Sequence, residues 1–400
     1  MRPPRVLIVA THPVQYASPQ FRELQADPRI DVTVAYLSMY GTERDIDPDF
    51  GVARAWDIDL LGGYSWTHVT NHSPKSDIRG FLGLLNPGLW SLIRRGRFDV
   101  VVCYGYRSAS AWIAISAARA SGSKFVWTTD ATGLEPRDRS SIKGAMKSIL
   151  LPRVFALASA AIVPSTGAQR FVLSLGVPSA HVFVTPYAVD NAFFSEGAKA
   201  SDPKSMRKEL GIPSDAFVAL FVGKLASWKR PQDLLLALRA VSGAWGLFVG
   251  EGESRHELEA LAARIGVDER AVFAGFRNQS ELPGCYAAAD VLVLPSEYEP
   301  FGLVVNEAFA SGIPAIVSDR CGAVGDLVID GVTGFVYRAG DVNALAAHLG
   351  NLMRDPLTRR RVSQRAQAQI ATWGPKQNLE ATVAAISVIS GREALASVDE

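Results

Sequence analysis

Two glutamates eight positions apart, Glu299 and Glu307, bracket a Pro-Phe-Gly turn in SEYEPFGLVVNEAFASGIPAIVSD, residues 296–319. Pro300 stands where a helix can begin, with Phe301 and Gly302 completing the turn; Gly302 lets a ligand come close to the backbone. Leu303, Val304 and the residues up to Ala310 then present free amides and the positive end of a helix dipole. At about 1.5 Å of rise per residue, eight positions span roughly 12 Å, the scale of a diphosphate with a sugar on each side. Each carboxylate can accept from two neighbouring hydroxyls. The two glutamates could therefore hold two sugars, one at each end of a diphosphate. Two surface glutamates on a helix would show the same spacing, but Glu307 is flanked by apolar residues.

Cations to match the phosphates stand in VGKLASWKRPQ, where Gly223, Lys224 and Lys229 are followed by Arg230-Pro231, a good helix start. Lys224 and Lys229 at a strand end just before a helix would make a diphosphate clamp; solvated surface lysines are the plain alternative. VGEGES, residues 249–254, places Glu251 between glycines that let a ligand near the backbone, without a full glycine-rich fingerprint. AGFRNQ, residues 274–279, with Phe276 and Arg277, could meet a nucleobase edge with its backbone or be an ordinary turn.

Such loops need strands to carry them. Apolar runs of strand length alternate with helical stretches along the chain, which predicts an α/β protein with parallel sheets covered on both faces. Strands are expected at 217–225, 246–249, 271–276, 291–295, 315–318 and 334–337, separated by helices such as 230–241, 255–265 and 342–353. The first half repeats the pattern at 5–10, 32–37, 100–104, 124–128, 161–164 and 182–184. In open sheets of this kind ligands sit at the carboxyl ends of the strands. Periodicity is lost between 186 and 205, so a boundary is expected near 195–205: a first domain 1–197, a second 198–375, and a last helix 376–400 that could pack on either domain, including back on the first.

Composition bounds the reading. The 400 residues suit two cores, and 48% hydrophobic with 20% charged residues is the make-up of a globular enzyme. With 41 basic against 40 acidic residues, nothing global draws the chain to nucleic acid. Cys103, Cys285 and Cys321 are odd in number and lack ligand spacing, which fits buried thiols in a reducing cytoplasm and no metal. The apolar run near the start is read as a first strand, too short for a signal core.

At these residues the sequence resembles the retaining glycosyltransferases of family 4, which have the GT-B fold: two doubly wound Rossmann-like domains facing across a cleft. The features shared are Gly-Lys-Leu where Gly-Arg-Leu is usual, Lys229, Glu251-Gly252, Gly275, and the Glu, seven residues, Glu motif at Glu299 and Glu307. The resemblance implies that Lys224 and Lys229 bind the donor diphosphate, Glu299 the transferred sugar and Glu307 the nucleoside ribose. It implies transfer with retained anomeric configuration, the departing diphosphate taking the acceptor's proton, with no cofactor or metal beyond a UDP- or GDP-linked donor. Lys224 loses the bidentate fork of the usual arginine, and Asp326 stands after Cys321-Gly322 where a glutamate often follows a double glycine.

The first half resembles the family less. THPVQYASPQF, residues 11–21, replaces the common Gly-Gly loop, and its His-Pro-Val-Gln-Tyr start is similar to one subgroup of bacterial members. His12, Gln15 and Tyr16 are the acceptor-side candidates, with His12 equally able to be structural. Asp130, in WTTDATG, ends a strand where it could orient the acceptor hydroxyl or cap a helix. A basic stretch, residues 136–159, carries Arg137, Arg139, Lys143, Lys147 and Arg153 against Asp138 alone, interleaved with Ile142, Met146, Ile149 and Leu150. LWSLIRRGRF, residues 89–98, adds a second basic aromatic patch. Either a solvated face or an anionic membrane surface accounts for these; the latter makes a peripheral enzyme on the inner face of the membrane, extending a glycan or lipid-linked acceptor. Competing readings are a nucleotide-sugar 2-epimerase, a catalytically silent binding subunit, and a pyridoxal-phosphate phosphorylase, for which no cofactor lysine stands out.

Overall fold

The computed structural model describes residues 2–42, 45–46, 53–54, 56–78, 80–134 and 142–392, with only the backbone course for 45–46, 53–54 and 142–147. In chain order the first part holds β1 Arg5–Ala10, α1 Ser18–Ala26, β2 Asp31–Tyr36, the short β3 Asp45–Ile46 and β4 Ala53–Arg54, and β5 Trp66–His68. There follow α2 Gly88–Gly96, β6 Val100–Tyr104, α3 Ala109–Ser121, β7 Lys124–Thr128, α4 Ile142–Phe155, β8 Ala160–Val163, α5 Thr166–Ser174 and β9 Val182–Val184. The second part holds α6 Asn191–Ala200, α7 Pro203–Glu209, β10 Phe217–Val222, α8 Pro231–Ala240, β11 Ala244–Val249, α9 Arg255–Ile265, β12 Ala271–Gly275 and α10 Leu282–Ala287. It ends with β13 Val291–Leu294, α11 Leu303–Ala310, β14 Ala315–Ser318, β15 Gly334–Tyr337, α12 Val342–Arg354, α13 Pro356–Ala371 and α14 Pro375–Ser390.

Two all-parallel sheets result, ordered β5-β2-β1-β6-β7-β8-β9 and β12-β11-β10-β13-β14-β15. Every residue of β10, FVALFV, is buried, which is why that segment reads as an unbroken apolar run instead of an alternation. One face of the first sheet is covered by α1 and α14, with Phe21, Tyr36 and Ile386 in its core, and the other by α2 to α5, with Ile93, Phe125, Trp127 and Phe155. The second sheet packs Leu234, Leu238, Phe248 and Leu349. Each such side chain contributes about 1.5–3 kcal/mol by leaving water. All twelve strands expected from the sequence form; the two-residue β3 and β4 and the three-residue β5 were not expected, and in β5 the two outer residues are exposed.

Two compact units divide the chain: Met1–Asp45 with Asp59–Tyr187 and Pro375–Glu400, and Ile46–Ile58 with Ala188–Gly374. The boundary therefore lies at Tyr187, upstream of the expected 195–205. The reason is α6, which packs on α10 and α11 of the second unit, burying Phe194. Residues 46–58 also depart from the expected 1–197: the Trp56 ring lies 6.2 Å from that of Phe276. In the first unit, α14 packs on α1, and Arg29 forks to Asp27 at 2.6 Å and Glu380 at 2.8 Å. Among the described residues no helix is long and apolar enough to cross a membrane.

Candidate active site

In the second sheet the strand order reverses at β10, with β11 on one side and β13 on the other. At such a switch point the loops leaving the two central strands diverge and open a crevice at their carboxyl ends. The loop after β10 carries Gly223, Lys224 and Lys229; the loop after β13 carries Glu299 and leads into α11. Lys229 Nζ is ion-paired with Glu299 Oε2, so topology brings together the two side chains that the sequence placed seventy residues apart. Ser296 Oγ lies 3.4 Å from the same carboxylate oxygen, and Glu299 is almost fully buried. Lys224 Nζ sits 5.2 Å from the centroid of the half-exposed Trp228 ring, where cation–π attraction holds it.

The loops that follow are stitched backbone to backbone. Gly223 N donates to Val249 O at 3.0 Å, Leu225 N to Glu251 O at 2.9 Å, and Gly250 N to Gly275 O at 2.8 Å. A Cβ on Gly250 would lie 2.0 Å from Gly223 O, so only glycine permits this approach. Glu251 is ion-paired with Arg255 of α9. Arg277 is held by Glu281 at 3.1 Å and Glu209 at 3.2 Å, so its guanidinium serves local structure.

The turn before α11 is locked from several sides. Glu299 N donates to Arg320 O and Gly322 N to Glu299 O, pairing the turn with the loop after β14. Phe301 is buried and stacks on Trp373, 6.3 Å between centroids and 10° between planes. Gly302 takes φ +96°, and a Cβ there would meet Leu294 Cδ2 at 2.8 Å. From that cap α11 runs with Leu303 and Val304 half-buried and Val305 and Phe309 fully buried. Glu307, one turn on, accepts from the Tyr286 hydroxyl at 2.6 Å. Burial pushes its carboxyl up to about 7, and the Tyr286 bond acts against that rise. Asp326 is buried, its carbonyl accepting from Gln369 Nε2 at 2.8 Å.

In the first unit the reversal falls at β1, between β2 and β6. The His12, Gln15 and Tyr16 loop follows β1, and Asp130 follows β7, all at the carboxyl edge. His12 Nδ1 lies 3.1 Å from Thr11 Oγ1, and its ring meets Tyr40 edge-on at 5.4 Å. Gln15 is half-buried. The Tyr16 ring meets Tyr187 edge-on at 5.6 Å, and Asp130 is exposed in a loop outside any helix. Burial raises the Tyr16 hydroxyl pKa, and the Asp130 charge adds to the rise; Tyr187 is pushed well above its ordinary value by burial, then by Tyr16 and Asp130. Tyr104, at the end of β6, belongs to the same group through Tyr16.

Three residues here escaped the sequence reading. Tyr104 ends an apolar strand and could have been flagged by that position alone. Tyr187 and Tyr286 carried no local signal, being single tyrosines whose partners lie elsewhere in the chain. Of the basic stretch, Arg137, Asp138 and Arg139 lie outside the described residues, as do the side chains of Ile142, Lys143, Met146 and Lys147. Ile149 and Leu150 are exposed, and Arg153 Nη1 donates to Ile149 O at 2.7 Å. All three cysteines are buried and form no disulfide.

Comparison with known proteins matches residues 202–369 to the glycosyl transferases group 1 model and residues 13–188 to the glycosyl transferase 4-like domain, which between them span most of the chain. A D-inositol 3-phosphate glycosyltransferase of Xylanimonas cellulosilytica is 34% identical over 226 residues, 54% of each chain. The sulfoquinovosyl transferase SQD2 of Arabidopsis thaliana is 30% identical over 212 residues, 52% of this chain and 40% of that one. The chain spans about half the length of the curated relatives it matches. In fold it is similar to Anabaena HepE in complex with UDP and glucose, with a TM-score of 0.73 and 20% identity over 96% of this chain and 99% of that one. WaaG, a glycosyltransferase involved in lipopolysaccharide biosynthesis, gives a TM-score of 0.64 and 17% identity over 96% and 100%. With both halves matched and two parallel Rossmann-like sheets in place, this chain belongs to the group 1 glycosyltransferases of GT-B fold.

Proposed function

We propose that this chain is a retaining glycosyltransferase, moving a sugar from a nucleoside-diphosphate sugar to a hydroxyl of a glycan or lipid-linked acceptor in polysaccharide or glycolipid biosynthesis. The observation that carries the reading is the Lys229–Glu299 pair at the β10/β13 switch point, with Glu307 eight positions further on along α11. Lys224, Lys229 and the amino end of α11 take the diphosphate, Glu299 the transferred sugar and Glu307 the ribose. A lysine about 4 Å from a phosphate oxygen contributes about 4 kcal/mol at an effective dielectric of 20, against about 0.3–1 for a helix end. The lysines therefore carry most of the charge stabilisation. The diphosphate's charge is met by the protein's own cations, so turnover is expected to survive chelation of divalent metals. On the first unit, His12, Gln15, Tyr16 and Asp130 serve the acceptor.

Titration of UDP, GDP and ADP by calorimetry tests the donor half, UDP first because the similar HepE structure contains it. Binding of one nucleotide, lost in Glu307→Ala, supports the reading. Binding of none overturns it and leaves a binding subunit with a transferase fold.

The membrane half of the reading rests on α2, whose exposed side carries Trp90, Arg94 and Arg95, with Arg97 just beyond. The Arg94 guanidinium lies 5.9 Å from the Trp90 ring, an arrangement that suits an interface of anionic headgroups. Flotation with phosphatidylglycerol vesicles is expected, weakened by Arg94→Glu with Arg95→Glu; no flotation of the intact chain removes this half alone.

A further inference from the structure

Tyr286 of α10 is fully buried and lies in a helix that the donor motif does not include. Its ring meets Phe194 of α6 edge-on, 5.9 Å between centroids and 82° between planes. Its hydroxyl lies 2.6 Å from Glu307 Oε2 and 3.5 Å from Val304 O. A phenol has one proton to give. At these distances that proton goes to the carboxylate, in the short range of charge-assisted O–H···O⁻ bonds, and the carbonyl is left with a marginal contact.

Close packing of helices is what brings the hydroxyl to this place. A Cβ on Gly197 of α6 would meet Pro283 Cβ at 2.8 Å, and one on Gly284 would meet Met206 Cε at 2.8 Å. Glycine at both positions lets α10 settle against α6 and α7, with Phe194 as the side wall of the tyrosine ring. Tyr286 thus has a fixed ring and a fixed hydroxyl direction, set by elements outside the glutamate's own helix.

Two consequences follow for Glu307. Its side chain has three rotatable bonds, and a free carboxylate would be ordered only when a ligand arrived. With Oε2 held by Tyr286 that ordering is already done, and the carboxylate's remaining acceptor directions are aimed. The bond also favours the ionised form, against the burial that opposes it. An ionised, aimed carboxylate accepts from a vicinal diol; a protonated or freely rotating one does so poorly.

We propose that Tyr286 is a positioning residue for donor recognition, which holds Glu307 so that it reads the ribose diol and thereby gives the site its preference for ribonucleotides over 2′-deoxyribonucleotides. This rests on the nucleoside-diphosphate reading above. The tyrosine touches no substrate; it acts through the glutamate.

Calorimetry with UDP and 2′-deoxy-UDP, on the intact chain and on Tyr286→Phe, tests it. Phenylalanine keeps the ring against Phe194 and removes only the hydroxyl. The intact chain is expected to prefer UDP, and Tyr286→Phe to weaken UDP about tenfold (about 1.4 kcal/mol) while leaving 2′-deoxy-UDP almost unchanged. Loss in equal measure for both nucleotides, or an undiminished preference, would mean that Tyr286 only packs. Glu307→Asp, which retracts the carboxylate from the hydroxyl without disturbing α6 against α10, is expected to lose the preference in the same way; its keeping the full preference overturns the proposal. An intact chain that binds UDP and 2′-deoxy-UDP equally also overturns it, with the nucleotide reading intact. If it binds neither, the nucleotide reading itself fails and takes this inference with it.

Discussion

Lys229 and Glu299 form an ion pair across the switch point of the second sheet, both largely shielded from water. A diphosphate entering this crevice has to share the lysine with the glutamate. The pair therefore balances two demands: the carboxylate keeps the ammonium in place, and it also competes for it.

Lys229→Ala is expected to lower kcat/KM by about 10²–10³, the usual effect of removing one group aimed at developing charge. The unfolding midpoint should fall as well, because the largely buried Glu299 carboxylate loses its counter-charge. Steady-state kinetics with thermal melts separates the two effects; full turnover in the mutant would remove the clamp.

Glu299→Gln should behave in the opposite sense for binding. With the counter-charge gone, nucleoside diphosphate affinity rises or holds, whereas transfer collapses because the sugar contact is lost. Calorimetry beside a transfer assay reads both, and a mutant that loses nucleotide affinity would place Glu299 on the nucleotide itself.

Glu307 predicts a pH dependence. Burial lifts its carboxyl from 4.5 to about 7, so ionising it costs folding stability, and that cost grows as pH rises from about 4.5 and is complete above about 7. Glu307→Gln should thus melt higher than the parent at pH 8 and no higher at pH 4. Ribose hydroxyls favour the ionised form, so UDP affinity of the parent should rise through pH 7 by more than that of Glu307→Gln. Parallel pH profiles for the two proteins would show that Glu307 does not meet the ligand.

Gly302 is held at φ +96° with Leu294 and Cys321 against its open side. Gly302→Ala should cost about 1–3 kcal/mol in urea unfolding, from the left-handed backbone before the steric clash is added. A loss below about 0.5 kcal/mol would show that the turn can open without penalty.

What the sequence disclosed depended on how local each cause was. The FVALFV run of β10 announces a strand buried on both faces, and Glu299, Pro300, Gly302 and Glu307 announce a carboxylate pair at a helix start, since each cause lies within a few residues. The unit boundary was less legible: NAFFSEGAKA has only two large apolar residues, Phe193 and Phe194, and it is the packing of α6 on α10 and α11, with Phe194 beside Tyr286, that assigns it to the second unit. Pairings such as Tyr16 with Tyr187, or Tyr286 with Glu307, are set by packing between distant elements, which no spacing reveals.

The same logic makes Asp130 testable without knowing the acceptor. Its charge, after burial, raises the hydroxyl pKa of Tyr16 and of Tyr187. Removing it in Asp130→Asn takes away a repulsion felt by tyrosinate, so both hydroxyls should ionise at lower pH. Spectrophotometric titration near 295 nm reads this as an earlier tyrosinate rise than in the parent, and the difference should shrink when Tyr16→Phe is added to both proteins. Superimposable curves for parent and Asp130→Asn would mean that Asp130 does not act on the tyrosines, and the acceptor edge would then have to be rebuilt around His12 and Gln15.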